Sequence, residues 1–421
     1  MRERQTEVLI VGAGPVGLLA GVILTQAGIK CEIIDREERT AARSYACALH
    51  PSTLELLDGL GLSQALVERG RRIRSIAFYD GPDRKVEATF TALSTKFPFV
   101  LVLPQSDLEQ VLENRLKSGG KTVKWDHRFD SLQNPGDTVL ATVEELEGTS
   151  LGYIVPHWES VVKKRFPFRA QFLIGADGHN SIVRQRLGMA YESLGGPQSF
   201  VACEFTSDTA GPDEVRVVLD ETTTNVLWPL PENKFRWTFQ MVHTEQLADF
   251  PEKERRAVRF GEMLLNENIR RNLLRLSHTR APWFSADIHE ILWCKQVAFE
   301  SSLARQVGGQ RCWLAGDSVH QTGPVGVQSL NAGLSEGHAL ARCVEQILKT
   351  GGPPELLSNY GDHCRSEWLR LLGANATVQP KNGTNAWLRP RARRMLPCLP
   401  ALGSSLDVLL DQVGLELKPA A

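Results

Sequence analysis

Short, unbroken apolar runs that stop at glycine divide this chain. The first, Val8 to Val11 (VLIV), has the length of a strand covered on both faces. A helical stretch from Val16 to Gln26 follows, Gly28 closes it, and a second run, Cys31 to Ile34, delivers Asp35. Two later runs repeat this form. Phe172 to Ala176 ends in Asp177-Gly178, and Cys312 to Ala315 ends in Gly316-Asp317, with a helix to about Lys349 that Asn331 is placed to cap.

Between these runs the pattern predicts a helix from Ser52 to Leu60, with Ser52 as N-cap and Glu55 completing a capping box. A short helix, Ser63 to Arg69, is followed by strands at Ile73 to Tyr79 and Phe99 to Leu103. Leu108, Val111, Leu112 and Leu116 share one face of a helix over Asp107 to Leu116. Extended segments at Val139 to Val143 and Leu151 to Trp158 flank the turn-like Glu147-Gly148-Thr149.

The composition shifts near Gly195. Phe200 to Phe205, Glu214 to Leu219, Asn225 to Trp228 and Phe235 to Val242 read as an antiparallel sheet, although the first shows no clean alternation. A charged helical region, Glu252 to Leu276, precedes a return through Gln296 to Ser301 to the third apolar run. The expected fold is α/β, a Rossmann-like domain with an inserted, mainly antiparallel sheet domain and a C-terminal helical segment. Its expected parts are 1–75, 101–195 and 301–365 for the first domain, 76–100 and 196–300 for the sheet domain, and 366–421 for the extension.

The first turn carries the chemistry most plainly. Gly12, Gly14 and Gly17 stand in G-x-G-x-x-G spacing between a strand and a helix, with an acid at the end of the next strand. One glycine makes the turn, one admits a pyrophosphate to the backbone, and one lets helix pack on strand. The helix N-terminus presents N–H groups to the phosphates, and Asp35 sits where a ribose would donate to it. A dinucleotide site follows. Asp317 likewise ends a strand, where open α/β sheets bind ligands, and the Gly323 to Gly326 loop lets backbone lie near a flat ring.

Composition narrows the partners. Lys+Arg 48 against Asp+Glu 49 gives a net charge of -1, which offers no nucleic-acid footprint. No apolar run reaches the roughly 18 residues of a membrane span, and MRERQTE leaves no room for a signal peptide before the first strand. Eight cysteines, scattered singly without a C-x-x-C pair, suit reduced thiols rather than a disulfide framework or zinc site, and no metal is expected. A cytoplasmic location is the expectation.

The three turns together resemble those of the class A flavoprotein monooxygenases, the aromatic-hydroxylase family related to p-hydroxybenzoate hydroxylase. Leu356-Leu-Ser-Asn-Tyr360 is similar to that family's Leu-Leu-x-x-Tyr, so the likeness extends to about Arg365. It implies FAD, with Gly12, Gly14, Pro15, Val16, Gly17, Asp35 and Arg36 on the ADP half and Arg43 and Gln105 also against the cofactor. It implies Asp177 and Gly178 for the second turn, and Gly316, Asp317, Pro324, Gly326, Val327 and Asn331 for the third. The implied activity is oxygenation of an aromatic or polycyclic small molecule, with NADPH or NADH as reductant, O2 as co-substrate and a flavin C4a-hydroperoxide as oxidant. No side chain need be a nucleophile, and no acid or base is assigned. A monomer or homodimer is expected, without the C-terminal thioredoxin-like domain of some larger relatives.

One departure stands out. The family's loop before the asparagine is glycine-rich, whereas here Val327 and Ser329 occupy it. A Cβ at Ser329 would disfavour positive φ and crowd the ring. That favours an alternative: a scaffold that binds FAD structurally or catalyses a redox-neutral cyclisation or rearrangement. His320 reads as a hydrogen-bonded structural residue rather than an acid or base. Trp228, Trp237, Gln240 and His243 are candidates for a pocket, but alternation puts Trp237 and His243 on the face opposite Gln240. Arg389, Arg391, Arg393 and Arg394 read as a solvated face beside a docked C-terminal helix.

Overall fold

The computed structural model describes residues 3–38, 46–133, 136–151, 157–242 and 259–419. The first apolar run forms the strand Val8–Val11, buried along its length as its uniform character requires. It belongs to a five-stranded sheet in the order Gly308–Gly309, Cys312–Leu314, Phe172–Gly175, Val8–Val11, Cys31–Ile34. All pairings are parallel except that of the Gly308–Gly309 edge. Gly175 pairs with both Val11 and Leu314, and Val11 with Ile34. That register makes the three glycine turns and Asp35 leave the sheet side by side at its carboxyl edge.

The helices Pro15–Gln26, Gln105–Ser118 and Gln328–Thr350 pack together beside this sheet. A four-stranded sheet joins Arg4–Gln5, His157–Ala170, Val139–Leu151 and His127–Gln133. The expected turn at Glu147-Gly148-Thr149 does not form: the strand runs through it, with Glu147 opposite Val161 and Gly148 opposite Ser160. A glycine between polar residues resembles a turn in sequence, but the partner strand satisfies its backbone.

The inserted sheet has seven strands, in the order Ile291–Phe299, Gln198–Thr206, Lys234–Met241, Thr224–Pro229, Glu214–Leu219, Ser75–Asp80, Asp83–Thr89. It is antiparallel apart from the parallel pair formed by Glu214–Leu219 and Ser75–Asp80. One face carries Val201, Cys203, Phe205, Trp237 and Phe239 into a separate core under the helix Arg259–Arg280, through Ile269, Leu273 and Leu276. The other carries Phe200 and Trp228 into the main core. Protein covers both faces, which is why Phe200 to Phe205 lacks alternation. The beginning of the expected Glu252 helix, and His243, lie outside the described residues.

Three further expectations are corrected. The helix Pro51–Asp58 is preceded by His50 as cap residue, because Pro51 at its first position fixes the start; Ser52 caps nothing. Glu55 instead accepts from the Thr95 hydroxyl at 2.5 Å. The cysteines are not all reduced: Cys203 and Cys294 face each other across neighbouring strands and form a disulfide. Their separation of 91 residues left no motif to read.

The arginine cluster is also not a solvated face. Arg389 and Arg393 are exposed, but Arg391 donates to Leu219 O at 3.2 Å, and Arg394 to Asp220 O at 2.7 Å, Glu221 O at 3.2 Å and Thr223 O. This segment lies between the strand Ala376–Pro380 and the helix Gly403–Gln412 that precedes its partner strand Leu415–Pro419, so it ties the C-terminal region to the seven-stranded sheet. Arg394→Met leaves those carbonyls unpaired and is expected to cost about 2 kcal/mol, measured as a lower urea midpoint.

Candidate functional site

The three turns differ in how their polar groups are used. In the first, Gly12 has φ 105° and its N–H donates to Ile34 O at 2.9 Å. A Cβ on Gly17 would lie 2.0 Å from Gly12 O, and one on Gly12 would lie 2.2 Å from Ala176 O. These glycines therefore hold helix and strands together. Gly14 is different: a Cβ there would meet nothing within 4 Å. The helix Pro15–Gln26 begins at this open space with no side-chain cap and no acid in its first turn, so the amides of Val16 and Gly17 await a partner. A diphosphate fits this cradle in shape and in charge.

Asp35 stands at the rim of the cradle. Its Oδ2 accepts from Ala13 N at 2.6 Å and its Oδ1 from Glu37 N at 2.9 Å, which fixes the carboxylate. Arg36 is exposed and pairs with Glu37 at 3.2 Å. Gln105 opens the helix Gln105–Ser118 and donates to Glu109 Oε1 at 2.7 Å. Burial raises the Glu109 carboxyl to about 7, with Asp35 adding repulsion, and its Oε2 is buried without a partner. Glu109 was not singled out in the sequence; its position one helical turn beyond Gln105 was the available signal. Arg43 lies outside the described residues.

In the second turn Asp177 accepts from Ser181 Oγ at 2.5 Å, Ile182 N at 2.7 Å and Val183 N at 3.1 Å, so it caps the helix Ile182–Arg186 together with Ser181. Burial still raises its carboxyl above the ordinary value. Gly178, at φ 76°, borders open space. Arg184 is buried: its guanidinium lies 3.6 Å from the Tyr191 ring centroid and donates to Ser318 O at 3.0 Å. The Tyr191 hydroxyl donates to Asp317 O at 2.6 Å. These bonds lock the second turn to the third.

The third turn starts at Gly316, φ 68°, whose N–H donates to Glu336 Oε2 at 2.8 Å. The Asp317 side chain is exposed at the carboxyl edge. His320 is structural, as expected. It is fully buried, bonds Glu336 through Nε2 at 3.0 Å and stacks on Trp368, whose Nε1 donates to Glu336 Oε1 at 2.6 Å. Burial alone would raise the Glu336 carboxyl, but His320 and these donors hold it below its usual value.

Asn331 does not cap the following helix. That helix is Gln328–Thr350, its cap residue is Val327, and Val327 rather than Ser329 holds the left-handed conformation, φ 52° and ψ 37°. A β-branched residue there costs roughly 1–2 kcal/mol, so its surroundings must impose it. Asn331, fully buried, supplies part of that constraint: it donates to Val327 O at 2.7 Å and Ala48 O at 3.0 Å and accepts from His50 N at 2.8 Å. His50 Nε2 lies 2.9 Å from Gly326 O. Gln328 donates to Leu396 O at 3.1 Å from the helix's first turn. His50 carried no sequence signal as part of this loop, since its partner lies 276 residues away.

Pro324 borders a small cavity of about 20 Å³ between this loop and the seven-stranded sheet, walled by Phe200, Ala202, Trp228, Thr238 and Val297 with Arg236 and Trp293. Of the described pocket candidates from the sheet, Trp228 reaches it. Trp237 points to the opposite core, and Gln240 is spent on Thr224 N at 2.9 Å.

Two measurements check this geometry. Gly14→Ala should leave the thermal stability of the apoprotein unchanged and weaken FAD binding more than tenfold by fluorescence titration, whereas Gly17→Ala should destabilise the apoprotein itself. Burial lowers the His50 pKa from 6.5 to about 4. Above pH 6.5 both folded and unfolded chains are neutral there. As the pH falls toward 4 only the unfolded chain takes up the proton, and stability is lost. Between pH 7 and pH 5 the wild type should lose about 2 kcal/mol more than His50→Gln in urea unfolding.

The family model described as "FAD binding domain" matches residues 5–372. The 6-methylpretetramide 4-monooxygenase of Streptomyces rimosus is 28% identical over 376 residues, which cover 88% of this chain and 61% of that protein. The chain therefore spans about three-fifths of that relative's length. Among solved structures, p-nitrophenol 4-monooxygenase PnpA from Pseudomonas putida DLL-E4 superposes with a TM-score of 0.74 at 19% identity, over 98% of this chain and 99% of that one. The Diels-Alderase PyrE3 of pyrroindomycin biosynthesis superposes with a TM-score of 0.66 at 21% identity, over 88% of this chain and 72% of that one. The matched family and the uncapped, glycine-lined cradle agree, and the chain belongs to the FAD-binding-domain family, with the fold of the flavin-dependent aromatic monooxygenases.

Proposed function

We propose that this chain is an FAD-dependent monooxygenase that uses NADPH or NADH and O2 to hydroxylate an aromatic or polycyclic small molecule. The observation that carries the reading is the aromatic-lined cavity that Pro324 of the third turn borders together with Phe200, Trp228 and Trp293 of the inserted sheet. Bound FAD supplies the route by which reducing equivalents from the nicotinamide reach dioxygen. Gly14 and the helix N-terminus take the diphosphate, Asp35 takes the ribose, and Asp317 meets the chain that leads to the ring. Phe200, Trp228 and Trp293 give the substrate side an aromatic wall, which must open beyond its present volume of about 20 Å³ to admit a ring. His50 and Asn331 fix the loop against which the ring lies. The Streptomyces relative's name, a 4-monooxygenase of 6-methylpretetramide, supports the same reaction type.

A second reading is favoured by Val327: a redox-neutral enzyme on the same scaffold, in which FAD serves structure. The left-handed valine stands where the family's glycine-rich loop meets the ring, and the likeness to a Diels-Alderase supports the alternative at the level of fold.

Anaerobic mixing of the FAD-loaded protein with NADPH or NADH and a panel of phenols and hydroxynaphthalenes separates the two. The oxygenase predicts ligand-stimulated bleaching of the flavin and, under labelled dioxygen, one labelled oxygen atom in the product. A flavin that stays oxidised with every ligand would sink the oxygenase reading and leave the redox-neutral one.

A further inference from the structure

The seven-stranded sheet borders a second, larger cavity on the face turned away from Pro324. Leu227 and Trp228 are consecutive on one strand and each lines one of the two cavities, so the sheet itself separates them. The second cavity has a volume of about 340 Å³. That falls within the roughly 300–1,000 Å³ of small-molecule sites. Leu227, Pro229, Phe235, Trp283 and Phe284 give it an apolar and largely aromatic wall.

Its rim is fixed from two sides. Arg71 donates to Asp213 Oδ1 at 2.9 Å, to Gly211 O at 2.6 Å and to Ala210 O, which pins the loop that brings Thr209 and Pro212 to the cavity. His289 Nε2 lies 2.6 Å from Asp208 Oδ1, which ties the start of that loop to the segment following the helix Arg259–Arg280. Protein interiors close-pack, and side chains collapse into voids where they can. Walls held in this way keep the space open.

Arg216 is the cation of the lining. Its Nε donates to Glu214 Oε1 at 3.0 Å, and its guanidinium lies 4.8 Å from the Trp283 ring centroid. Arg84 Nη2 donates to Glu214 Oε2 at 2.5 Å, so two arginines share that carboxylate. The η nitrogens of Arg216 have no acceptor among the described residues. Glu214 and Trp283 thus orient a guanidinium that still has hydrogens to give. An oxygen on a ring lying along the aromatic wall would accept them. Asp208 and Asp287 stand exposed at the rim, and with Glu214 they set three carboxylates in the lining against one guanidinium. An anionic ligand meets repulsion there that an uncharged one does not.

We propose that this cavity is a second ligand site, for a flat, uncharged aromatic compound whose phenol or carbonyl oxygen accepts from Arg216. The site lies across the sheet from the flavin turns and does not rest on the oxygenase reading.

The test is fluorine NMR of the FAD-loaded, full-length protein labelled with 5-fluorotryptophan, with the Trp283 signal assigned by its loss in Trp283→Phe. The probes are 3-hydroxy-2-naphthamide and 3-hydroxy-2-naphthoate at neutral pH. The amide should move the Trp283 signal saturably and bind about tenfold or more tighter than the carboxylate. Arg216→Met, which leaves Glu214 its bond from Arg84, should weaken the amide by about tenfold. Ser285→Tyr fills the exposed mouth without touching the ion pair and should abolish the response, which keeps the idea testable if Arg216→Met does not fold. No saturable movement of the Trp283 signal, a carboxylate that binds as tightly as the amide, or an amide affinity unchanged in either folded variant overturns the proposal. The Trp283 signal needs no turnover, whereas the oxygenase reading stands or falls on flavin reduction and labelled product, so the two can fail separately.

Discussion

Backbone approaching backbone is the constraint on which the site depends. The Gly12 carbonyl occupies the place of any side chain at Gly17, and Ala176 O the place of one at Gly12. The same closeness recurs where the helix Gln328–Thr350 crosses the first helix: a Cβ on Gly337 would lie 2.9 Å from Val16 Cγ1, and one on Gly333 3.0 Å from Gly316 Cα. Such contacts cannot be relaxed by choosing another rotamer. They fix the spacing of the three turns, and they leave Gly14 in the first turn and Gly178 in the second facing open space.

The loop between Gly323 and Gln328 adds a second principle. One glycine there is also forced by backbone, since a Cβ on Gly326 would lie 2.5 Å from Pro397 O, but the loop is held as well by side chains from distant segments: His50, Asn331 and, through Gln328, the carbonyls of the C-terminal region. A neutral His50 and a fully bonded Asn331 stabilise a valine conformation that the isolated chain would avoid. The strain is local, and buried hydrogen bonds offset it.

What could be read from the sequence follows from these two regimes. Parallel strands buried on both faces announce themselves as apolar runs, and glycines forced by close contact keep a fixed spacing, so the Rossmann-like sheet and the first turn were legible down to Gly12, Gly14, Gly17 and Asp35. The inserted sheet was legible as strands but not as faces, because both sides of Gln198–Thr206 are covered. Long-range partners left no local trace. His50 with Gly326, Arg394 with Asp220, and Cys203 with Cys294 each join residues scores to hundreds of positions apart. The capping roles given to Ser52 and Asn331 failed for one shared reason: a neighbouring residue, Pro51 or Val327, had already set where the helix begins.

The two faces of the seven-stranded sheet are coupled through one pair of strands. Gln198–Thr206 and Ile291–Phe299 place the Cys203–Cys294 disulfide on the face toward the helix Arg259–Arg280, and the next rung places Glu204 and Trp293, hydrogen-bonded, on the face toward the cavity. Ile291–Phe299 is an edge strand, and an edge strand is the part of a sheet most free to slip. A slip of one residue would exchange the faces, driving the tryptophan out of the cavity wall and stripping the buried carboxylate of a donor. The covalent link on one side therefore protects the polar geometry on the other. A buried ion pair contributes little net stability by itself, yet losing one partner costs about 3–5 kcal/mol, so the register that keeps Trp293 on Glu204 matters more than the pair's own gain in folding energy.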